Sequence, residues 1–188
     1  MRSTIYSLVI AVLVFAGQPA SASIIIPPGN DVACDFVTGG GWIQGRGQPL
    51  PGEEPSSLAV GAKANFAVGG GVKNGAFWGH LEYNDHSTSP PLQVHGTSVT
   101  GYFPAADDPA HKRIITGTAR VNGVDGFTYE VEVADFQEPG RGIDEFSIEV
   151  DGYAAGTNYG DGPIQGGNIQ LHKANGSNTP PPGFTCSP

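Results

Sequence analysis

The feature that most constrains the fold of this chain is a repeated alternation of apolar and polar residues. In residues 127–135, a phenylalanine, a tyrosine and two valines occupy every second position, and most residues between them are polar. Successive side chains of a β-strand point to opposite sides of a sheet, so this pattern predicts a strand with one buried face. No segment of useful length shows the periodicity of a helix.

The same alternation recurs along the chain and is separated by turn sequences. Glycine (29) and proline (16) are abundant enough to supply many such turns. Asn122-Gly123 and Asn74-Gly75 predict tight hairpins, and a change of parity within 91–103 predicts a bulge near Gly96. We therefore predict about eight strands in a single antiparallel β-sandwich or barrel. The further strand segments are 35–43, 63–68, 77–83, 91–103, 112–121, 145–150 and 169–171.

The first 22 residues predict export from the cytoplasm. Arg2 precedes an apolar run over residues 5–16, and the small residues 20–22 form a cleavage site, as in a secretory signal peptide. The run is shorter than the ~20 residues of a membrane span, and we expect no other span. We expect a secreted, extracellular protein.

The export prediction divides the chain into four segments. They are a cleaved signal peptide (1–22), a linker (23–33), a β-domain (34–174) and a proline-rich tail (175–188). Residues 44–57 are rich in glycine, proline and glutamate, which predicts a long exposed loop.

The two cysteines, Cys34 and Cys186, lie near opposite ends of the exported chain. An oxidising compartment permits a disulfide between them. In the chain-entropy model, such a bond would stabilise the folded chain by ~5 kcal/mol because it closes a long loop. We expect this bond to be the only one that holds the C-terminal tail. Two free thiols and an intermolecular link are the alternatives.

The charge of the chain bears on its partners. Acidic residues outnumber basic ones by 18 to 9, for a net charge of −9. Such a surface repels phosphate backbones, so we exclude nucleic acid as a partner. A cell-surface polymer, a glycan or a protein are the partner classes we retain.

A cluster of histidines and a carboxylate predicts a transition-metal site. His80, Glu82 and His86 lie close in sequence, and His95 joins them if their two strands pair. Zinc needs three or four convergent ligands of this kind. The alternative is that His80 and Glu82 face solvent and that the other two histidines bind turns.

The segment 135–145 concentrates carboxylates in a loop. Asp135, Glu138 and Asp144 supply the oxygen ligands that calcium prefers, although their spacing is not that of an EF-hand. The alternative is a turn whose carboxylates bind backbone N–H groups.

Exposed aromatic residues would offer a stacking platform for sugars. The alternative is that most of these rings pack in the core. The candidates are Trp42, Trp78, Tyr83, Tyr102 and Tyr159.

Motifs for nucleophilic catalysis, phosphate binding and dinucleotide binding do not occur in the sequence. The glycine triplets 39–41 and 69–71 are followed by neither a helix nor a Lys-Ser/Thr pair. We expect them where the backbone passes close to a large side chain such as Trp42.

Two segments at the ends of the predicted domain carry a family resemblance. Residues 37–43 read VTGGGWI, and residues 166–173 read GGNIQLHK. With the strands between them, these motifs resemble the post-COAP family of bacterial extracellular β-domains. The resemblance implies an exported all-β module and no catalytic residues.

These observations favour a non-catalytic extracellular or cell-surface domain with a structural or binding role. One alternative is a metal-binding protein or metal-dependent enzyme that uses zinc or calcium at the residues named above. A glycan-binding module is the other.

Overall fold

The computed structural model describes residues 31–44 and 62–187, which form an all-β fold. Nine strands make one curled antiparallel sheet, in the order β10-β2-β3-β4-β5-β6-β7-β8-β9, and β1 and β11 form a separate parallel pair. This confirms the predicted fold class. The strands are β1 (Asp31–Val32), β2 (Phe36–Gln44), β3 (Lys63–Lys73), β4 (Ala76–Asp85), β5 (Leu92–Pro104), β6 (Lys112–Val121), β7 (Val124–Ala134), β8 (Glu145–Val150), β9 (Tyr153–Gly156), β10 (Gly166–His172) and β11 (Thr185–Cys186).

Some predictions fall on parts of the chain outside the described residues. These are the signal peptide, most of the linker and residues 45–57 of the predicted loop. Within the described residues, no helix has the length and apolar character needed to cross a membrane.

Two-residue turns set the register of the long hairpins. Asn74-Gly75 joins β3 to β4 with φ angles of 51° and 78°, and Asn122-Gly123 joins β6 to β7 with 47° and 85°. Positive φ at both central residues is typical of a type I′ turn, whose twist matches that of the flanking strands. Both predicted hairpins are confirmed.

Strand β5 contains two irregularities rather than one. Its register against β6 shifts between Gly96 and Ser98, where the bulge was predicted, and again between Val99 and Gly101. Each added residue moves the following side chains to the other face of the sheet. Because two shifts restore the original parity, Tyr102 is fully buried.

The core lies inside the curl of the sheet and joins its opposite walls. The Phe66 and Phe146 rings, from β3 and β8, stack with centroids 4.0 Å apart. The centroid of the Tyr83 ring lies 6.0 Å from that of Phe146. Burial raises the pKa of Tyr83 and of Tyr153 well above the ordinary value, so both phenols remain neutral. The Tyr153 hydroxyl donates to the buried Asp85 carboxylate, which anchors this polar end of the core.

The C-terminal tail is held by more than the predicted disulfide. Cys34 and Cys186 are bonded, which confirms that pairing. In addition, the buried Asn178 donates through Nδ2 to the Val72 carbonyl at 2.8 Å. Phe184 packs edge-on against Phe77 with centroids 5.4 Å apart. The expectation that Cys186 alone holds the tail was therefore wrong.

The fold also begins earlier than predicted. Asp31 and Val32, assigned to the linker, form β1 and pair with β11. Val32 is fully buried, so it belongs to the packed structure.

Candidate functional site

The residues predicted to bind a transition metal do not assemble into one set. Glu82 and His95 are cross-strand neighbours whose side chains are hydrogen-bonded, and both are at least half exposed. His80 lies one row further along β4, and His86 follows the strand, with its backbone N–H donating to the Lys63 carbonyl at 3.1 Å. Across residues 31–44 and 62–187, no three His, Cys, Asp or Glu side chains come together in a way that could hold a metal ion.

The carboxylates predicted to bind calcium instead hold β10 against the β7–β8 loop. The Asp135 carboxylate accepts the Leu171 N–H at 2.7 Å, and Asp144 accepts the Ile169 N–H at 2.9 Å. Glu138 accepts the Asn168 side-chain amide at 3.1 Å. The alternative prediction, that these acids bind backbone N–H groups, is confirmed for Asp135 and Asp144. Much of their role is to satisfy donors on the edge of β10.

Asp144 is tightly enclosed at this contact. The residue is fully buried, and burial raises the pKa of its carboxyl, an effect opposed by its hydrogen bonds to backbone N–H groups. A Cβ atom on Gly140 would lie 1.6 Å from an Asp144 carboxylate oxygen. Only glycine leaves room for the carboxylate at this position.

The outer surface of β10, β2, β3 and β4 has a different character, and we call it the glycine face. The opposite side of these four strands faces the interior and carries core residues such as Val37, Leu81 and Ile169. Pairing of the strands brings small residues of the outer side together near the middle of this face. They are Gly40, Ala67, Gly69, Gly71 and Gly166.

Large planar side chains cover several of these glycines from the neighbouring strand. The Trp78 indole occupies the space beside Gly71, where an added Cβ would lie 3.0 Å from Nε1. The His80 ring covers Gly69 in the same way, at 2.9 Å. The expectation that glycines lie beside large side chains is confirmed here. Trp42, however, covers Gly166 on β10 rather than the triplet 39–41.

Three rings stand side by side at one end of the glycine face, and we call them the aromatic row. His172 stacks on Phe36 with centroids 4.4 Å apart and an angle of 10° between the planes. The Trp78 centroid lies 6.0 Å from that of Phe36. All three residues are partly exposed. Because Phe36 and His172 are stacked face to face, these two rings present mainly their edges to the surroundings, and Trp78 lies tilted beside them.

The position of Trp78 has an energetic cost. Its indole Nε1 is buried and has no hydrogen-bond partner among the described residues. A buried donor without a partner costs roughly 1–3 kcal/mol. The ring is thus held on this face despite a penalty, and such an unsatisfied group calls for an explanation.

Polar groups separate the aromatic row from Trp42. Phe36 and Trp42 are six residues apart on β2, or about 20 Å along a strand. Thr38 and Gln170 lie exposed between them on the same side of the sheet, and Asn65 lies exposed beside Trp42. The Lys63 ammonium lies 4.2 Å from the centroid of the Trp42 ring.

Sequence reasoning identified only part of this surface. Of the five candidate stacking residues, Trp42 and Trp78 lie on the glycine face, whereas Tyr83 and Tyr102 are fully buried in the core. Phe36 and His172 were missed, because only the pairing of β2 with β10 brings them together.

Carboxylates dominate the outer surface of β7 and β8, which we call the acidic face. Glu130 and Glu149 are directly opposite each other in the register. Burial raises the pKa of Glu130 to about 7, and the charges of Glu149 and Glu132 add to the shift. Lys112 donates to Glu132 at 3.2 Å, and the remaining candidate stacking residue, Tyr159, donates to Glu149 at 3.1 Å.

A cavity of about 240 Å³ lies beside the disulfide. Its charged groups are occupied by structural contacts, because Arg113 donates to both carboxylate oxygens of Asp35 and to the carbonyls of Pro109 and Lys112. We therefore assign the candidate site to the glycine face.

Comparisons with protein-family models, with curated proteins and with solved structures find no match to this chain. What the molecule binds is therefore inferred from its own surface.

Proposed function

We propose that this chain is a secreted domain that acts by binding rather than catalysis, and that the glycine face is its binding surface. The observation that carries the proposal is the aromatic row. Its three rings lie on the outer side of the sheet, and one of them is kept there with an unpaired buried donor. Rings that are already held in place lose little freedom when a partner covers them, which favours binding.

The predicted signal peptide supports an extracellular role for this surface. The resemblance of residues 37–43 and 166–173 to the post-COAP family implies an exported module and agrees with it. Those same two segments contain most of β2 and β10, which carry much of the glycine face.

Retention on immobilised extracellular polymers tests the binding role. We suggest a panel of peptidoglycan, cellulose, chitin, collagen and fibrinogen. We expect retention of the wild-type protein on at least one of them and a loss of about tenfold in affinity for Trp78→Ala. Phe136→Ala is the matched control, because Phe136 is an aromatic residue that lies outside the glycine face and is 38% exposed.

Two results would contradict the proposal. One is that no member of the panel retains the wild-type protein. The other is that Trp78→Ala, shown to be folded by circular dichroism, is retained as well as wild type.

Expression of residues 1–188 in a bacterial host tests the export prediction. We expect the protein outside the cytoplasm, with a mass that corresponds to a chain starting at Ser23. Recovery of the uncleaved chain in the cytoplasm would be evidence against secretion.

A further inference from the structure

We infer that the ligand of the glycine face is an uncharged carbohydrate chain that lies along the strand direction. This inference rests on the proposed binding function and specifies its ligand. The first argument is the arrangement of the rings. The aromatic row and Trp42 are separated by about 20 Å along β2, so a ligand that contacts both must be extended.

The chemistry of the rings fits sugars. The C–H groups on one side of a pyranose ring form an apolar patch that packs against an aromatic surface, while its hydroxyls remain free to bond elsewhere. Trp78 and Phe36 have neighbouring centroids 6.0 Å apart, and His172 extends the surface on the other side of Phe36. The exposed edges of Phe36 and His172, together with the tilted Trp78 ring, thus form an apolar strip broader than one ring.

The groups between the rings fit the hydroxyls of such a ligand. Gln170 and Asn65 each carry an amide that donates and accepts hydrogen bonds, and the Thr38 hydroxyl, which is bonded to His172 Nε2 at 2.8 Å, retains capacity for a further bond. All three are exposed. Sugar hydroxyls also donate and accept, so these side chains can bond to them in either sense.

The glycines make the centre of the face accessible to a bulky chain. Gly40 carries no side chain and an added Cβ there would find its nearest atom only at 3.4 Å, and Ala67 carries only a methyl group, so a ligand can approach the sheet backbone at these two positions. A protein partner would be expected to bury an apolar core patch, whereas the centre of this face carries small residues and no large apolar side chain.

Charge favours a neutral ligand over an anionic one. The whole chain has a net charge of −9, which repels anionic polysaccharides. Within the glycine face, Lys63 and Glu82 carry opposite charges, so the face itself does not favour a ligand of either sign. An uncharged chain of hydroxyl-bearing sugars is the class that both the rings and the charges accept.

Tryptophan fluorescence reports binding directly, because the protein contains two tryptophans and both lie on the glycine face. We suggest titrating the full exported chain with the hexasaccharides of cellulose, chitin and mannan. We expect one of them to shift the emission. Trp78→Ala should weaken binding about tenfold or more, and Trp78→Phe, which keeps a ring, should stay within about threefold of wild type. Phe136→Ala should bind as wild type.

The outcomes separate this inference from the proposed function. If collagen or fibrinogen is retained through Trp78 and no carbohydrate binds, the carbohydrate inference fails and the binding function stands. If neither carbohydrates nor proteins are retained, both fail. If a carbohydrate binds equally well to wild type and to Trp78→Ala, the site on the glycine face is wrong.

Discussion

The glycine face and the acidic face are two parts of the outer surface of one sheet, and they use their polar groups differently. On the acidic face, Glu132 is held by Lys112 and Glu149 by Tyr159, so these two carboxylates are bonded within the protein. On the glycine face, Glu82 is bonded to His95 and Thr38 to His172, but the amides of Gln170 and Asn65 are exposed beside the planar rings. The difference indicates which surface contributes to stability and which is open to a ligand.

The largest effect should come from removing the cation of the acidic face. Burial lowers the pKa of Lys112, but the bonds to Asp107 and the charge of Glu132 outweigh it and raise the pKa overall. Lys112→Met would leave the 10%-exposed Glu132 side chain without this cation, at a cost of about 2–3 kcal/mol. Urea unfolding measures this loss, and Lys112→Met/Glu132→Gln should regain part of it.

The same substitution on the glycine face is the control. Lys63 contacts the Trp42 ring at the surface, so Lys63→Met should cost less than about 1 kcal/mol. Equal costs for the two methionine variants would contradict the distinction between the faces.

The next effect should come from filling space on the glycine face. Gly71→Ala would place a Cβ 2.7 Å from the Phe36 Cβ and 3.0 Å from the Trp78 indole. We expect a loss of about 2 kcal/mol from overpacking and a change in tryptophan emission. Gly40→Ala is matched, because its Cβ would meet its nearest neighbour at an ordinary 3.4 Å. Comparable losses for both variants would show that the rings do not depend on Gly71.

A smaller effect should come from pH, through Glu130. Its pKa in the folded protein is about 7, above the ordinary carboxyl value of 4.5. The folded state therefore binds this proton more tightly, and the carboxylate destabilises the fold above pH 7. Stability should rise as the pH falls from about 8 to 5. Glu130→Gln should gain about 1 kcal/mol at pH 8.5 and little at pH 5, measured by urea unfolding. An equal gain at both pH values would show that charge is not the cause.

The smallest effect should come from an ion pair that belongs to neither the acidic face nor the glycine face. Arg120 bonds to Asp125 beside the β6–β7 turn, where the two side chains are 48% and 65% exposed. Solvent and salt screen such a pair. We expect Arg120→Gln to leave the urea midpoint unchanged, and a clear drop would mean that surface pairs matter more here than their exposure indicates.

The sequence alone predicts the strands and the tight turns because both depend on local patterns. Alternation in residues 127–135 identifies β7, and Asn122-Gly123 identifies the hairpin before it. Short strands escape this approach: β9 has four residues and β1 has two, too few for a pattern to emerge. The second irregularity in β5 was missed for a related reason, since a shift of register is visible only against β6.

The candidate site was harder to predict because it depends on residues far apart in the chain. Phe36 and His172 stack only because β2 pairs with β10. The carboxylates of Asp135 and Asp144 look like cation ligands until the N–H groups of Leu171 and Ile169 are placed beside them. Composition shows which groups are present, and the register decides what each one bonds to.

The bond between Cys34 and Cys186 has a mechanical consequence. The two cysteines are separated by 152 positions, and nearly the whole sheet lies between them. If the chain is pulled from residue 31 and from residue 187, tension passes through β1, the disulfide and the end of β11. The segment between the cysteines is bypassed and carries no load. A molecule stretched at these two points would keep the glycine face intact until that covalent bond is reduced.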